Sequence, residues 1–192
     1  MITYNTDTQP PEVLIIDDMP SNLDILVEHL ENLGYRTAVA LDGEIGISCA
    51  QYSCPDLILL DIMMPGIDGF ETCRRLKSHP KTQSIPIIFM SALSDPEDKV
   101  QGFNAGAVDF ITKPFDITEV DARVKTQLSL SALKTQLEAY ITQLEREIQI
   151  RIQAEENSKL AYQRLGESEE RYRLLVEQAP DAILIEVDGQ LT

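Results

Sequence analysis

The fold of this chain is decided by the stretch LILLDIMMPG, which covers residues 57–66. Its four consecutive aliphatic residues are long enough for a strand that is buried on both faces and too short for a core helix. The run ends in the carboxylate of Asp61, and Pro65-Gly66 then prevents its continuation. Because open α/β sheets bind their ligands at the carboxyl ends of the strands, Asp61 is a candidate for chemistry. For this stretch alone, an aspartate that begins a turn is the simpler interpretation.

Three other apolar runs of the chain also end in polar side chains. They are EVLIIDD (residues 12–18), IPIIFMSA (residues 85–92) and DFITKPF (residues 109–115). The first run ends in Asp17 and Asp18, the second in Ser91 and the third in Lys113. Since the carboxyl ends of parallel strands lie along one edge of a sheet, we expect these side chains to converge on Asp61.

The three aspartates of this predicted cluster need a compensating charge. Two carboxylates about 4 Å apart repel each other by roughly 4 kcal/mol at an effective dielectric constant of 20. A cluster of Asp17, Asp18 and Asp61 therefore requires a divalent cation or protonation. Mg²⁺ binds carboxylate, carbonyl and water oxygens and leaves coordination positions for phosphate. The cluster predicts a metal-assisted phosphoryl site that holds Mg²⁺ or Mn²⁺.

Strand and helix signals alternate from residue 12 to residue 118, which predicts an α/β fold with a doubly wound parallel sheet. A fifth strand is expected from Tyr35 to Ala40, after a helix that Gly34 closes. The helices are predicted at about residues 20–33, 43–52, 69–78, 95–106 and from 117 onward.

These five spaced elements resemble the receiver domain of response regulators in two-component signalling. The resemblance covers residues 12–118 and implies a flavodoxin-like sheet with the strand order 2-1-3-4-5. It also implies that Asp61 is the nucleophile that accepts a phosphoryl group as an acyl phosphate. Asp18 and Asp61 would bind the metal directly, together with the backbone carbonyl of Met63, and Asp17 would act through a water molecule or a hydrogen bond.

The same resemblance assigns the groups that would hold and report the phosphoryl group. Lys113 would pair with its oxygens, as would the hydroxyl of Ser91 and the backbone N–H of Ala92. Ser91 and Phe110 would form the switch that responds to phosphorylation, and the peptide bond before Pro114 should be cis.

Two apolar side chains are expected to lengthen the lifetime of the acyl phosphate. Met63 lies two residues after Asp61, and Leu93 lies two residues after Ser91. Neither can orient a water molecule for attack on phosphorus. We therefore expect slow self-dephosphorylation, on the scale of minutes or more.

Composition restricts the partners of the chain. The formal net charge of −16 over 192 residues argues against nucleic acid as a direct partner. No apolar stretch approaches the roughly 20 residues of a membrane span, and no signal peptide opens the chain, so we expect no membrane contact. Cys49, Cys54 and Cys73 lack metal-ligand spacing and are interpreted as small buried side chains, which suits a reducing, cytoplasmic setting.

The pattern changes after Ile117, where about 60 residues contain one glycine and no proline. This composition predicts a single long helix. An apolar stripe recurs along it at spacings of 4-4-3-4-4, which is an eleven-residue repeat typical of a straight or slightly right-handed coiled coil. The stripe consists of Leu133, Leu137, Ile141, Leu144, Ile148 and Ile152. A lone helix would leave the stripe in water, so we predict a parallel homodimer; an intramolecular hairpin would need a turn, and Gly166 lies near the far end.

The remaining segments complete the predicted domain organisation. Residues 1–11 are expected to be a flexible tail, residues 12–118 a receiver domain and residues 119–178 the long coiled-coil helix. Residues 179–192 resemble the start of a PAS sensor domain, with a strand at 183–187 and a hairpin turn at Asp188-Gly189. A self-contained helical tail is the alternative.

The sequence therefore predicts a phosphorylation-controlled input module. A histidine kinase or a histidine phosphotransfer protein would donate phosphate to Asp61, and the receiver would change the pairing of the long helices. An output domain that follows these residues could be a histidine kinase or a diguanylate cyclase, and we expect the 192 residues themselves to carry only uptake of phosphate from a donor and its slow loss.

Two alternatives remain open at this point. One is a constitutive coiled-coil scaffold with an unused receiver site. The other is a metal-dependent phosphatase or hydrolase, although enzymes of that type place a second aspartate where Met63 stands.

Overall fold

The computed structural model describes residues 9–92 and 96–177, together with the backbone of residues 186–187 and 190–191. The chain divides into two compact units, Met1–Gln136 and Leu137–Thr192. Most of the predicted flexible tail, Leu93 and most of the predicted PAS start lie outside the described residues.

The first unit is built on one parallel sheet of five strands with the order β2-β1-β3-β4-β5. The predicted fold class and strand order are confirmed. The strands are β1 (Glu12–Ile16), β2 (Arg36–Ala40), β3 (Leu57–Asp61), β4 (Ile87–Ser91) and β5 (Asp109–Thr112). The three central strands are almost wholly apolar and completely buried except at Glu12, as expected for strands covered on both faces.

Five helices follow the strands in alternation. They are α1 (Pro20–Asn32), α2 (Gly43–Ser53), α3 (Gly69–Ser78), α4 (Pro96–Ala105) and α5 (Ile117–Glu177). Asp42 and Asp68 cap α2 and α3, because their side chains accept hydrogen bonds from backbone N–H groups three residues later. In the second unit, two short strands, β6 (Glu186–Val187) and β7 (Gln190–Leu191), pair antiparallel.

The core consists of two apolar layers, one on each face of the sheet. On one face, side chains of α2, α3 and α4 pack against alternate residues of the strands, such as Ile16 and Leu60. On the other face, α1 and the beginning of α5 pack against the intervening residues, such as Ile15 and Leu59. The alternation follows from the period of two in a strand.

The apolar residues of helix α5 are buried at its beginning and exposed further along. Val120, Val124 and Leu128 are buried against the sheet, and their spacing of four places them on one face of the helix. The predicted coiled-coil stripe begins further on, and its six residues are between 39 % and 61 % exposed. A homodimer that covers this stripe stays a prediction.

The cysteines differ in their surroundings. Cys73 is buried in α3, its thiol contacts the backbone oxygen of Ala105 at 3.3 Å, and burial raises its pKa to about 11. Cys49 is half-buried. The expectation that all three are buried is wrong for Cys54, which is exposed and follows the end of α2 in a left-handed conformation with φ of 50°. In the described part of the chain, no helix is both long enough and apolar enough to cross a membrane.

Candidate functional site

The carboxyl edge of the sheet carries the predicted polar side chains. Asp17 follows β1 directly, Asp61 ends β3, Ser91 ends β4 and Lys113 follows β5. The register of the sheet aligns these ends, and the backbone N–H of Lys113 donates to the oxygen of Ser91 at 2.8 Å. Asp17, Asp61 and Ser91 are at most 4 % exposed. The sequence-predicted groups therefore share one buried edge, as expected for the ligand side of an open α/β sheet.

Lys113 links two of the carboxylates. Its Nζ lies 2.7 Å from Oδ2 of Asp17 and 2.7 Å from Oδ2 of Asp61. The ring of Phe115 lies on another side, with its centroid 5.7 Å from Nζ. One ammonium group therefore neutralises only part of the charge of two buried acids.

The carboxylate of Asp17 has several further partners. Its Oδ1 accepts a hydrogen bond from the backbone N–H of Met19 at 2.9 Å. The side-chain amide of Asn22 donates to both carboxylate oxygens at 3.0 Å. Sequence reasoning missed Asn22, because its position predicts only the first turn of the helix expected at residues 20–33. The available signal was an amide side chain in the first turn of the helix that follows the acidic pair.

Asp18 completes a cluster of three acids. One carboxylate oxygen from each of Asp17, Asp18 and Asp61 lies within 4.8 Å of the others. Asp18 is half-buried, and it makes no hydrogen bond or ion pair with the described residues. Carboxylate oxygens are the ligand type that Mg²⁺ prefers, so the residues of this cluster fit a small divalent cation.

The protonation of Asp61 depends on opposing influences. Burial raises the pKa of its carboxyl group above the ordinary value for aspartate, and the neighbouring charge of Asp17 acts in the same direction. The hydrogen bond and the positive charge of Lys113 lower it, as does the backbone N–H of Met63, which lies 3.4 Å from Oδ1. The ammonium group therefore favours the ionised form of this buried carboxyl group.

The remaining sequence-predicted residues surround this cluster. The peptide bond between Lys113 and Pro114 is cis, in agreement with the prediction. Met63, whose backbone N–H lies near Oδ1 of Asp61, is 65 % exposed. Ala92 is exposed at the end of β4.

Phe110 belongs to a chain of aromatic side chains. Its ring lies 5.6 Å from that of buried Phe89 and 5.1 Å from that of exposed Phe103, measured between centroids. Gly102 of α4 provides the necessary space, because a Cβ atom there would lie 2.3 Å from Cζ of Phe110. A glycine inside a helix costs about 1 kcal/mol relative to alanine, and the packing of Phe110 accounts for its presence here.

Gly69, the first residue of α3, lies against the backbone of Asp61. Its N–H donates to the oxygen of Ile62 at 2.9 Å, and a Cβ atom there would lie 2.2 Å from the backbone oxygen of Asp61. Gly69→Ala is therefore expected to destabilise the first unit by about 1–3 kcal/mol, because backbone atoms cannot make room as a flexible side chain can. Urea unfolding measures the effect.

The matched control for this prediction is Gly166→Ala. Gly166 lies within α5, and nothing stands within 4 Å of a Cβ atom placed there. That variant should be neutral or slightly stabilising. Equal free energies of unfolding for the two variants would contradict the close packing assigned to Gly69.

Comparison with known proteins agrees with this fold and site. Residues 13–125 match the response regulator receiver domain family, and the chain belongs to that family. It is 46 % identical over 118 residues to the DNA-binding dual master transcriptional regulator RpaA of Synechocystis sp., covering 62 % of this chain and 49 % of that protein. It is 42 % identical over 114 residues to the response regulator PleD of Caulobacter vibrioides, covering 59 % of this chain and 25 % of that protein. The chain thus spans half or less of the length of these curated relatives.

Solved structures of receiver domains are also similar to this chain. The signal receiver domain of a signal transduction histidine kinase from Syntrophus aciditrophicus is 39 % identical, with a TM-score of 0.58, covering 62 % of this chain and 90 % of that one. The receiver domain of the sensor histidine kinase PA1611 from Pseudomonas aeruginosa is 28 % identical, with a TM-score of 0.59, covering 62 % and 98 %. That structure has a magnesium ion coordinated in its active site cleft.

Proposed function

We propose that this chain is the phosphoacceptor module of a two-component phosphorelay. A carboxylate oxygen of Asp61 attacks the phosphorus of a phosphohistidine on a histidine kinase or a histidine phosphotransfer protein. The P–N bond breaks, the electron pair stays on the imidazole nitrogen, and the ring takes up a proton. The observation that carries this proposal is the Lys113 ammonium group, which lies 2.7 Å from both Asp17 and Asp61 and can pair with the oxygens of an arriving phosphoryl group.

Asp18, Asp61 and the backbone carbonyl of Met63 would hold Mg²⁺ or Mn²⁺ directly, and Asp17 would hold it through water. Support comes from the cluster of three acids and from the freedom of Asp18, which has no competing partner among the described residues. When bound, the cation supplies positive charge against the phosphoryl oxygens. Ser91 and the N–H of Ala92 would hydrogen-bond the other oxygens, since both lie at the end of β4 beside the cluster.

Incorporation of phosphate from acetyl phosphate tests this function. Intact-mass spectrometry should show one added phosphoryl group in the presence of Mg²⁺ and none with a chelator. Peptide mapping after borohydride reduction should place the modification at Asp61. A protein that stays unmodified with acetyl phosphate and Mg²⁺, or is modified at another position, would overturn the proposal.

The signal would leave the receiver through α5. Ser91 and Phe110 would act as the switch, and the exposed stripe from Leu133 to Ile152 would form a parallel homodimeric coiled coil. A change in the receiver pair could then alter the pairing of the two helices and reach a cytoplasmic output domain, such as a histidine kinase or a diguanylate cyclase. The domain boundaries given above and a PAS domain after α5 belong to this proposal.

The alternative is a constitutive dimerisation scaffold with an unused receiver site. The acid cluster and its shared lysine favour the phosphoacceptor, because a scaffold gains nothing from three neighbouring carboxylates that repel one another. Disulfide cross-linking along the coil, with and without a phosphoryl mimic, separates the two. A scaffold predicts identical cross-linking patterns.

Met63→Asn is expected to shorten the lifetime of the acyl phosphate by about tenfold, which is less than a general base contributes, because an amide can orient a water molecule but does not take up its proton. Met63 is exposed, its backbone N–H lies 3.4 Å from Oδ1 of Asp61, and its thioether side chain cannot orient water, whereas an amide can. Loss of phosphate after removal of excess acetyl phosphate gives the rate. Met63→Leu is the control and should keep the original lifetime; equal rates for the two variants would contradict the prediction.

A further inference from the structure

We infer that Asn22 is a positioning residue that holds Asp17 in place and thereby allows Lys113 to move to the phosphoryl group. This inference rests on the proposed phosphoacceptor function. The side-chain amide of Asn22 donates to Oδ1 and to Oδ2 of Asp17, both at 3.0 Å. Asp17 is completely buried, so each of its hydrogen bonds replaces contact with water.

The partners of Asp17 divide into fixed groups and one that is shared. The backbone N–H of Met19 and the amide of Asn22 contact Asp17, and among the described residues neither of them bonds to another carboxylate. Lys113 is different, because it also contacts Asp61. When a phosphoryl group arrives on Asp61, the ammonium group must turn toward the new oxygens.

The departure of Lys113 would be costly if Asp17 had no other donor at Oδ2. A buried carboxylate that loses its partner keeps the full cost of desolvation. Lys113 contacts Oδ2, and the amide of Asn22 contacts the same oxygen. Asn22 therefore keeps Oδ2 hydrogen-bonded while Lys113 exchanges Asp17 for the phosphoryl group.

The helix makes Asn22 a fixed donor. Asn22 is the third residue of α1, and its backbone N–H donates to the oxygen of Met19 at 3.0 Å. The N-cap residue of α1 is Met19, which makes no side-chain capping bond. Asparagine is a strong capping residue and a poor residue inside a helix. Its place in the first turn, with its side chain bonded to Asp17, indicates that its role concerns the site and not the helix.

The experiment compares Asn22→Leu and Asn22→Asp with Asn32→Leu. Leucine keeps the approximate volume of Asn22 without a donor, and aspartate keeps its shape with a second negative charge. Asn32 is an exposed residue at the end of the same helix and serves as the control. The initial rate of labelling by acetyl phosphate at saturating Mg²⁺ should fall about tenfold or more in both Asn22 variants, since each loses a hydrogen bond to a charged group. The control should label at the original rate.

A second measurement uses the unchanged protein and does not depend on labelling. In ¹H–¹⁵N spectra, the side-chain amide of Asn22, assigned by its loss in Asn22→Asp, should exchange with water more slowly than that of Asn32. The protection should persist when Mg²⁺ and acetyl phosphate are added. Exchange as fast as that of Asn32 would overturn the inference.

The two measurements also separate this inference from the proposed function. If the unchanged protein labels at Asp61 and Asn22→Leu, with its thermal unfolding temperature retained, labels at the same rate, the role of Asn22 is wrong and the phosphoacceptor function stands. If the unchanged protein does not label, the function is wrong, and the role of Asn22 in phosphoryl transfer falls with it.

Discussion

Asp61→Asn is expected to abolish phosphate incorporation from acetyl phosphate. The amide has nearly the shape of the carboxylate, so the buried end of β3 should remain intact, but it has no ionised oxygen to attack phosphorus. The variant also removes one of the three acids that would hold the metal. Incorporation should fall below the level that intact-mass spectrometry detects.

The same variant should be more stable than the unchanged protein without metal at neutral pH. Burial raises the pKa of Asp61 above its ordinary value, so the folded protein binds a proton there more readily than the unfolded chain. Stability contributed by this group is therefore present at low pH and is lost as the pH rises from the ordinary pKa of aspartate through the raised value. The advantage of Asp61→Asn should appear in that window and persist above it, which urea unfolding at several pH values measures.

Asp24→Asn on α1 is the control for both predictions, the loss of labelling and the gain in stability. Asp24 is exposed, and that variant should label normally and show no comparable gain in stability. Labelling of Asp61→Asn at the original rate would remove the proposed nucleophile. A stability that is unchanged at every pH would instead contradict the energetic account of the buried carboxyl group.

The sequence was sufficient to predict which strands end at the site. The carboxyl ends of parallel strands lie along one edge of a sheet, however far apart the strands are in the sequence. Asp17 and Lys113 are 96 positions apart, yet their contact follows from the ends of β1 and β5 lying on one edge. The roles of individual residues within that edge stay predictions where no contact identifies them, as for Ser91 and Ala92.

Three features could not be predicted because they depend on distances and not on patterns. The close approach of Gly69 to the oxygen of Asp61 and that of Gly102 to the ring of Phe110 require the packed structure. The bond from Asn22 to Asp17 likewise depends on where the first turn of α1 places its amide. Each of these residues has ordinary explanations in sequence, as a helix start or a helix interior.

The sequence also does not predict where along α5 the packing against the sheet ends. Val120, Val124 and Leu128 are buried, whereas Leu133 is 61 % exposed, and no glycine or proline marks the change. Apolar residues recur at helical spacing in both segments, with a step of five between Leu128 and Leu133 and a step of three between Ile141 and Leu144. Burial depends on where the sheet ends, and the periodicity of a helix does not report that position.

Replacement of Leu137 and Ile148 by glutamate is expected to dissociate the proposed homodimer. The two residues are 11 positions apart on the stripe and are 58 % and 57 % exposed. In a symmetric dimer the double variant removes four apolar side chains from the interface, each contributing about 1.5–3 kcal/mol when buried. Because every 1.4 kcal/mol changes the dissociation constant about tenfold, the constant should rise by at least about four orders of magnitude. Sedimentation equilibrium measures it.

The matched control carries the same two charges on the opposite side of α5. Ala139 and Ile150 each lie two residues beyond the stripe positions, about 200° around the helix, and they have the same spacing of 11. Ala139→Glu with Ile150→Glu should therefore remain a dimer, although it has the same net charge as the stripe variant. Dissociation of both double variants would indicate that charge, and not the stripe, governs association. A monomeric unchanged protein would remove the coiled-coil half of the proposal and leave phosphate uptake at Asp61 unaffected, because every side-chain contact of the acid cluster lies within the first unit.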